Sequence, residues 1–235
     1  MSIKEQQIQV LDLTIDVIKK DIKNMHLAVY PPTGRIRIAS PKHLNDEAIR
    51  LFAVSKIQWI KKHQKNFYEQ LREPPREYID GESHYFNGKR YLLKVIERYG
   101  KHEVKVKNKT CLELYVSPGA SAKAKESVFN EWYRNHLKAV VPDLIRHWET
   151  RIGVSCKGWG IKKMRTKWGS CTIEKRKILL NLELAKKSIP CLEYVIVHEL
   201  LHFLERNHND RFKAFLDTFM PNWRSTKRAL NNLTP

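Results

Sequence analysis

The sequence predicts an α+β fold: an N-terminal, mostly antiparallel β region followed by a helical region with a β-hairpin beside a buried helix. Three observations predict it. Apolar and polar residues alternate in strand-length runs between Val10 and Ser40, and again between Tyr78 and Val116. Apolar residues recur at helical spacing from Ser121 to Ile152. After Pro190 comes a short segment that is apolar on nearly every side, the mark of a buried helix.

The first strands are LTIDVIKK, MHLAVYPP and GRIRIAS, with Pro31-Pro32-Thr33-Gly34 as a turn signal. A helix follows from Asn45 to about Leu71, capped by Asn45 or Asp46. Ile49, Phe52, Ala53, Ile57 and Ile60 form its apolar stripe, and Lys61, Lys62 and Lys65 lie on its polar part. The segment REPPRE, Arg72 to Glu77, breaks the helix as a connector. In SHYFNGKRYLLKVIE the pair Asn87-Gly88 signals a two-residue hairpin, and CLELYV is a further strand ended by Ser117-Pro118-Gly119. In the long helix, Val128, Trp132, His136, Val140, Leu144 and Trp148 are the expected buried face, with Pro142 as a kink or break. His136 and His147, alone on that helix, are expected to be surface or core residues rather than ligands. KGWGIKKMRTKWGSC and ILLNLEL are strands joined by the turn EKRK, so they can form a hairpin. Helices from Cys191 to about Arg206, from Asp210 to Met220 and up to about Asn231 close the chain. These patterns divide it at 118: a β region with one helix over residues 1–118, and a helical domain over 119–235. No internal repeat is evident.

The bulk composition bounds the function. Hydrophobic residues make up 42% and aromatics 10% of the 235 residues, which excludes a disordered chain. No apolar run approaches the roughly 18 residues that span a bilayer, so no membrane role is expected. The N-terminus lacks a signal-peptide layout, and the expected location is cytoplasmic. The four cysteines form no C-x-x-C pair and are read as free thiols. Lys and Arg outnumber Asp and Glu by 44 to 25, a net charge of +19. Such a surface attracts polyanions, so nucleic acid or a nucleotide is an expected partner, weighed against a merely solvated basic surface.

The chemistry lies in VIVHELLHFLERNH. His198 and His202 stand four residues apart, on one helix face, and can point at one ion. Glu199 sits beside them and can take a proton from water that the ion acidifies. Imidazole donors suit zinc, with other divalent ions compatible, and catalytic zinc keeps three protein ligands and one open position. His208 follows at the spacing H-E-x-x-H-x-x-G-x-x-H, but Glu205 stands at the glycine position. The chain must therefore turn differently, with Asn207 as the expected left-handed residue and Asn209 or Asp210 as the next cap. Asp210 and Asp217 are the alternative third ligands, and Cys171 is a weaker one. A plain buried helix with incidental histidines also explains Val195, Val197, Leu200, Leu201 and Phe203, but not a third histidine at this offset.

Together RTKWGSC, ILLNLEL, YVIVHELLHFLERNH, RFKAF and MPNWR resemble the YgjP-like metallopeptidases, small bacterial zincins related in pattern to the SprT-like and WLM groups. The resemblance covers the whole chain and is strongest from Arg165 to Trp223. It implies a zincin-like catalytic domain, ligation by His198, His202 and His208, Glu199 as catalytic acid and base, and the hairpin beside the active-site helix. Gly169 suits a close backbone approach, and Trp168 a cleft wall or a substrate platform. Arg165 and Lys167, alternating along a strand, can face the cleft and hold an anionic group or an oxyanion, or can be a plain charged face. Asn181 can satisfy local backbone groups. A peptide or protein is the expected substrate. Two alternatives remain: phosphoanhydride hydrolysis with Lys162, Lys163, Arg165 and Lys167 on the phosphates, or a nucleic-acid-binding protein whose metal site is structural or regulatory.

Overall fold

The computed structural model describes residues 5–30, 33–69 and 76–232. It is mixed α and β, and it forms two compact units, Met1–Glu73 and Pro74–Pro235. Among the described residues no helix is long and apolar enough to cross a membrane.

The first unit is a four-stranded sheet of β1 (Glu5–Val10), β2 (Leu13–Lys20), β3 (His26–Tyr30) and β4 (Arg35–Pro41), in the order β1-β2-β4-β3. Its central pair, β2 and β4, is parallel and the outer pairs are antiparallel. The sheet is thus mostly antiparallel, as expected, with a parallel inner pair, and it begins a strand earlier than the alternation predicts. Ile8 and Val10 in β1 give the alternating signal, but glutamines on the other face dilute it. The helix breaks at Lys56 into α1 (Asp46–Ser55) and α2 (Ile57–Glu69). Asn45 caps α1 by accepting from the Ala48 N–H at 2.9 Å. Ile49, Ala53 and Ile60 are buried against Ile15, Val17 and Ile38 of the sheet, while Phe52 and Ile57 are half-buried at its margin. Pro31, Pro32, Leu71 and the connector residues 72–75 lie outside the described residues.

The second unit opens with the same topology. β5 (Ser83–Phe86), β6 (Lys89–Glu97), β7 (Glu103–Val106) and β8 (Cys111–Val116) run in the order β5-β6-β8-β7, again with the inner pair parallel. A repeat the sequence hides is therefore present in the backbone. This sheet belongs to the larger unit because Leu93, Leu112, Leu114 and Val116 share a core with the following helices. The unit boundary consequently falls after Glu73 and not at residue 118.

α3 (Ala122–Ile152) is one continuous helix that carries Pro142 inside it, so of the expected kink or break the break is absent. Its buried face is Phe129, Tyr133, Leu137, Val141, Ile145, Trp148 and Ile152. Of the predicted stripe, Trp148 lies on this face, while Val128, Trp132, His136, Val140 and Leu144 sit one residue to the side, half-buried at the edge of the same wide apolar face. Asn87 and Gly88 form the hairpin tip as predicted, both at positive φ, 48° and 77°. Their N–H groups donate to the carbonyls of Ala185 and Lys186, each at 3.0 Å, and the Asn87 side chain meets His136 at 2.8 Å. The tip is thereby pinned to the turn that leads into the functional region. A Cβ on Gly88 would lie 2.9 Å from Ser188 Cβ, at the start of the next helix. Gly88→Ala is expected to cost about 1–3 kcal/mol through left-handed strain and this clash, read as a lowered Tm.

The rest of the unit is a three-stranded sheet, β10-β11-β9, from β9 (Gly158–Lys162), β10 (Gly169–Thr172) and β11 (Lys177–Asn181). β10 and β11 form the expected antiparallel hairpin, and β9 lies parallel on the far side of β11. A 3₁₀ turn (Leu182–Lys186) leads to α4 (Ile189–Leu201), α5 (Asp210–Phe219) and α6 (Trp223–Asn231). α4 buries Leu192, Val195, Ile196, Leu200 and Leu201, which accounts for its all-round apolar sequence.

Candidate metal centre

The three histidines come together at the end of α4. The donor atoms of His198, His202 and His208 lie within 4.8 Å of one another, and the ring centroids are 4.8–5.0 Å apart. His198 and His208 meet through their Nε2 atoms at 2.9 Å. α4 ends sooner than predicted, at Leu201, yet His202 as its cap keeps right-handed helical dihedrals and stays on the face of His198. The return to His208 uses no left-handed residue, because no position from 201 to 209 has positive φ. Glu205, in the place of the glycine, makes the turn instead: its carboxylate accepts from the Asn207 N–H at 3.1 Å. Asn209 then caps α5 by accepting from the Phe212 N–H at 3.0 Å.

The rings fit a divalent ion. His202 Nδ1 meets the Glu205 carbonyl at 3.1 Å, which leaves Nε2 to face the cluster. His198 Nδ1 is buried without a hydrogen-bond partner among the described residues. Burial above all, then the neighbouring histidines, lowers the His198 pKa to about 3, and burial also lowers that of His208. These two rings are thus neutral donors near pH 7. Phe212 packs against all three rings at centroid distances of 4.8–4.9 Å and forms their floor. The sequence pattern included this residue in RFKAF but assigned it no part; its helical phase toward the histidines was the available signal.

Glu199 is 6% exposed and lies under β10. A Cβ on Gly169 would stand 2.6 Å from Glu199 Oε1 and 2.9 Å from Val195 Cγ1, so glycine is what allows the strand to cross here. Burial raises the Glu199 pKa to about 7, against a smaller opposing effect of Lys167.

Ring and carboxylate open onto a cleft of about 580 Å³. Lys167, Trp168, Gly169 and Cys171 line it, and Arg165 does not. The expected strand through Arg165 and Lys167 is absent, because residues 163–168 form an irregular segment between β9 and β10. Asn181 holds that segment. Its side chain donates to the carbonyls of Met164 (3.0 Å) and Lys167 (2.8 Å) and accepts from the N–H groups of Met164 (3.1 Å) and Glu183 (3.2 Å). Asn181→Ala strands these groups, with an expected cost of about 2–4 kcal/mol and a Tm drop of roughly 10 °C. Trp168 is tied into the wall: its indole N–H donates to Asn231 of α6 at 3.1 Å. Lys162 and Lys163 do not line the cleft, and Lys163 pairs with Glu126 at 2.5 Å.

Asp210 and Asp217 stand apart from the cluster, Asp210 on Lys213 at 2.9 Å and Asp217 on Arg224 and the Trp223 indole. Cys171 lines the cleft, but burial pushes its thiol pKa up to about 12, and all four cysteines are free. The sequence reading missed Tyr194, Arg206 and Lys227, which also line the cleft. Tyr194 was legible one turn before His198; Lys227 was not, since its helix reaches the site only through the tertiary fold.

Comparison with known proteins adds four findings. A crystal structure of the metallopeptidase zymogen of Pyrococcus abyssi abylysin is similar at 18% identity, over 40% of this chain and 95% of that one, with a TM-score of 0.37. The metallopeptidase zymogen of Methanocaldococcus jannaschii jannalysin is similar at 21% identity, over 37% and 90% of the two chains, with a TM-score of 0.34. None of the curated proteins compared with the chain matches it. A family model described as YgjP-like, metallopeptidase domain, matches residues 23–233, and the chain therefore belongs to the YgjP-like metallopeptidase family.

Proposed function

We propose that the chain is a zinc-dependent peptidase in which His198, His202 and His208 hold one ion and Glu199 is the general base and acid. The observation that carries this reading is three imidazoles converging beside a buried carboxylate at an open cleft. When bound, the ion supplies a Lewis acid that polarises the scissile carbonyl and acidifies water. Glu199 takes the proton of the attacking water and hands it to the leaving amine. A carboxylate with a pKa near 7 is poised for both transfers. β10 is the outer strand of its sheet and lines the cleft, so an extended substrate can add to its edge.

Hydrolysis of unfolded protein and quenched peptide mixtures by the zinc-loaded full chain tests the reading. Cleavage that a chelator stops and zinc restores is expected; an ion-loaded chain that cuts no peptide overturns it. The phosphoanhydride alternative keeps only Lys167 of its four named cations at the cleft, and a nucleoside triphosphate panel in the same assay measures it. The net charge of +19 supports polyanion binding as an accompanying property, which should weaken steeply as salt rises.

A further inference from the structure

Three cations reach the cleft from three separate segments: Lys167 ahead of β10, Arg206 in the turn between α4 and α5, and Lys227 on α6. All three are exposed, and among the described residues no carboxylate lies within ion-pair distance of any of them. Four cations outside the cleft are matched, Lys163 with Glu126, Lys186 with Glu183, Lys213 with Asp210 and Arg224 with Asp217, while Arg165, also outside it, has no carboxylate within ion-pair distance among the described residues. Among the described residues, the carboxylates that line the cleft are Glu199, which the chemistry uses, and Glu174. Lys167 lies near enough to act electrostatically on Glu199, and Lys227 on His198 and His208. A bound divalent ion adds to this positive field. A basic peptide is repelled from such a cleft, and an acidic one finds partners that no intramolecular carboxylate has taken.

We propose that Lys167, Arg206 and Lys227 select peptide substrates with an aspartate or glutamate close to the scissile bond. This rests on the peptidase reading and names its substrate class. One exposed ion pair is worth little, so a large preference requires more than one of the three cations to engage.

The test is digestion of a mixed peptide library by the zinc-loaded full chain, with cut sites read by mass spectrometry. Acidic residues within two positions of the cut should be enriched about tenfold over basic ones. The enrichment should shrink with added salt. Lys227→Glu and Lys167→Gln, two exposed substitutions checked for unchanged ion content and circular dichroism, should each reduce it, and Lys227→Glu should bring in basic residues. Cutting without acidic preference, or a preference that both variants keep in full, overturns the inference alone. If the ion-loaded chain cuts no peptide, the peptidase reading falls and the inference with it.

Discussion

Glu199→Gln is expected to lower kcat about a thousandfold while the ion stays in place, within the range that a positioned general base supplies. Glutamine keeps the shape and burial of the side chain but cannot take a proton. Since the three rings converge without help from Glu199, zinc content measured by elemental analysis should match the parent protein. His202→Ala gives the contrast: it removes one of three donors, so ion and activity should go together. The pH profile gives a second readout. The base must be ionised to act, and burial sets its pKa to about 7 before any ion binds. A nearby divalent cation favours the ionised form, so activity should rise with pH along a limb centred at or below pH 7. Full turnover by a zinc-loaded Glu199→Gln protein would remove this residue from the mechanism.

The site was legible in the sequence to the extent that it depends on local spacing. His198 and His202 are fixed by helical period, and the hairpin tip by the dihedrals that Asn87 and Gly88 tolerate. Legibility failed where a side chain outside the segment decides the backbone. Asn181 pulls residues 164–168 out of strand geometry, and so Lys167 reaches the cleft and Arg165 does not. Glu205 turns the chain with its carboxylate, a solution that the glycine-based spacing does not suggest. The phase of α3 slipped by one residue because two adjacent apolar stripes gave nearly equal signals, and only the packing chooses between them. The unit boundary was hidden for the same reason: alternation marks strands but not the core they join.

The crossing of β10 over α4 provides the other large effect. Gly169→Ala introduces a methyl group 2.6 Å from Glu199 Oε1 and 2.9 Å from both Glu199 Cγ and Val195 Cγ1. Something must give, and both the strand itself and Val195 resist. β10 is paired to β11 at Gly169 and Leu180, Leu180 is fully buried, and Val195 is 3% exposed inside the core. The Glu199 carboxylate, at the open cleft, is the part free to move. A displacement near 1 Å from the reacting geometry costs on the order of a hundredfold. We therefore expect Gly169→Ala to lose about that much in kcat, with zinc content kept and a smaller change in KM. Gly160→Ala in β9 is the control, because its added methyl meets only Leu179 Cδ2, at 3.0 Å, on a side chain that is 40% exposed and able to move. Loss in the first variant and not in the second ties the effect to the position of the carboxylate rather than to a weakened sheet. Equal activity in both would mean that Glu199 tolerates displacement and does not act at a fixed place.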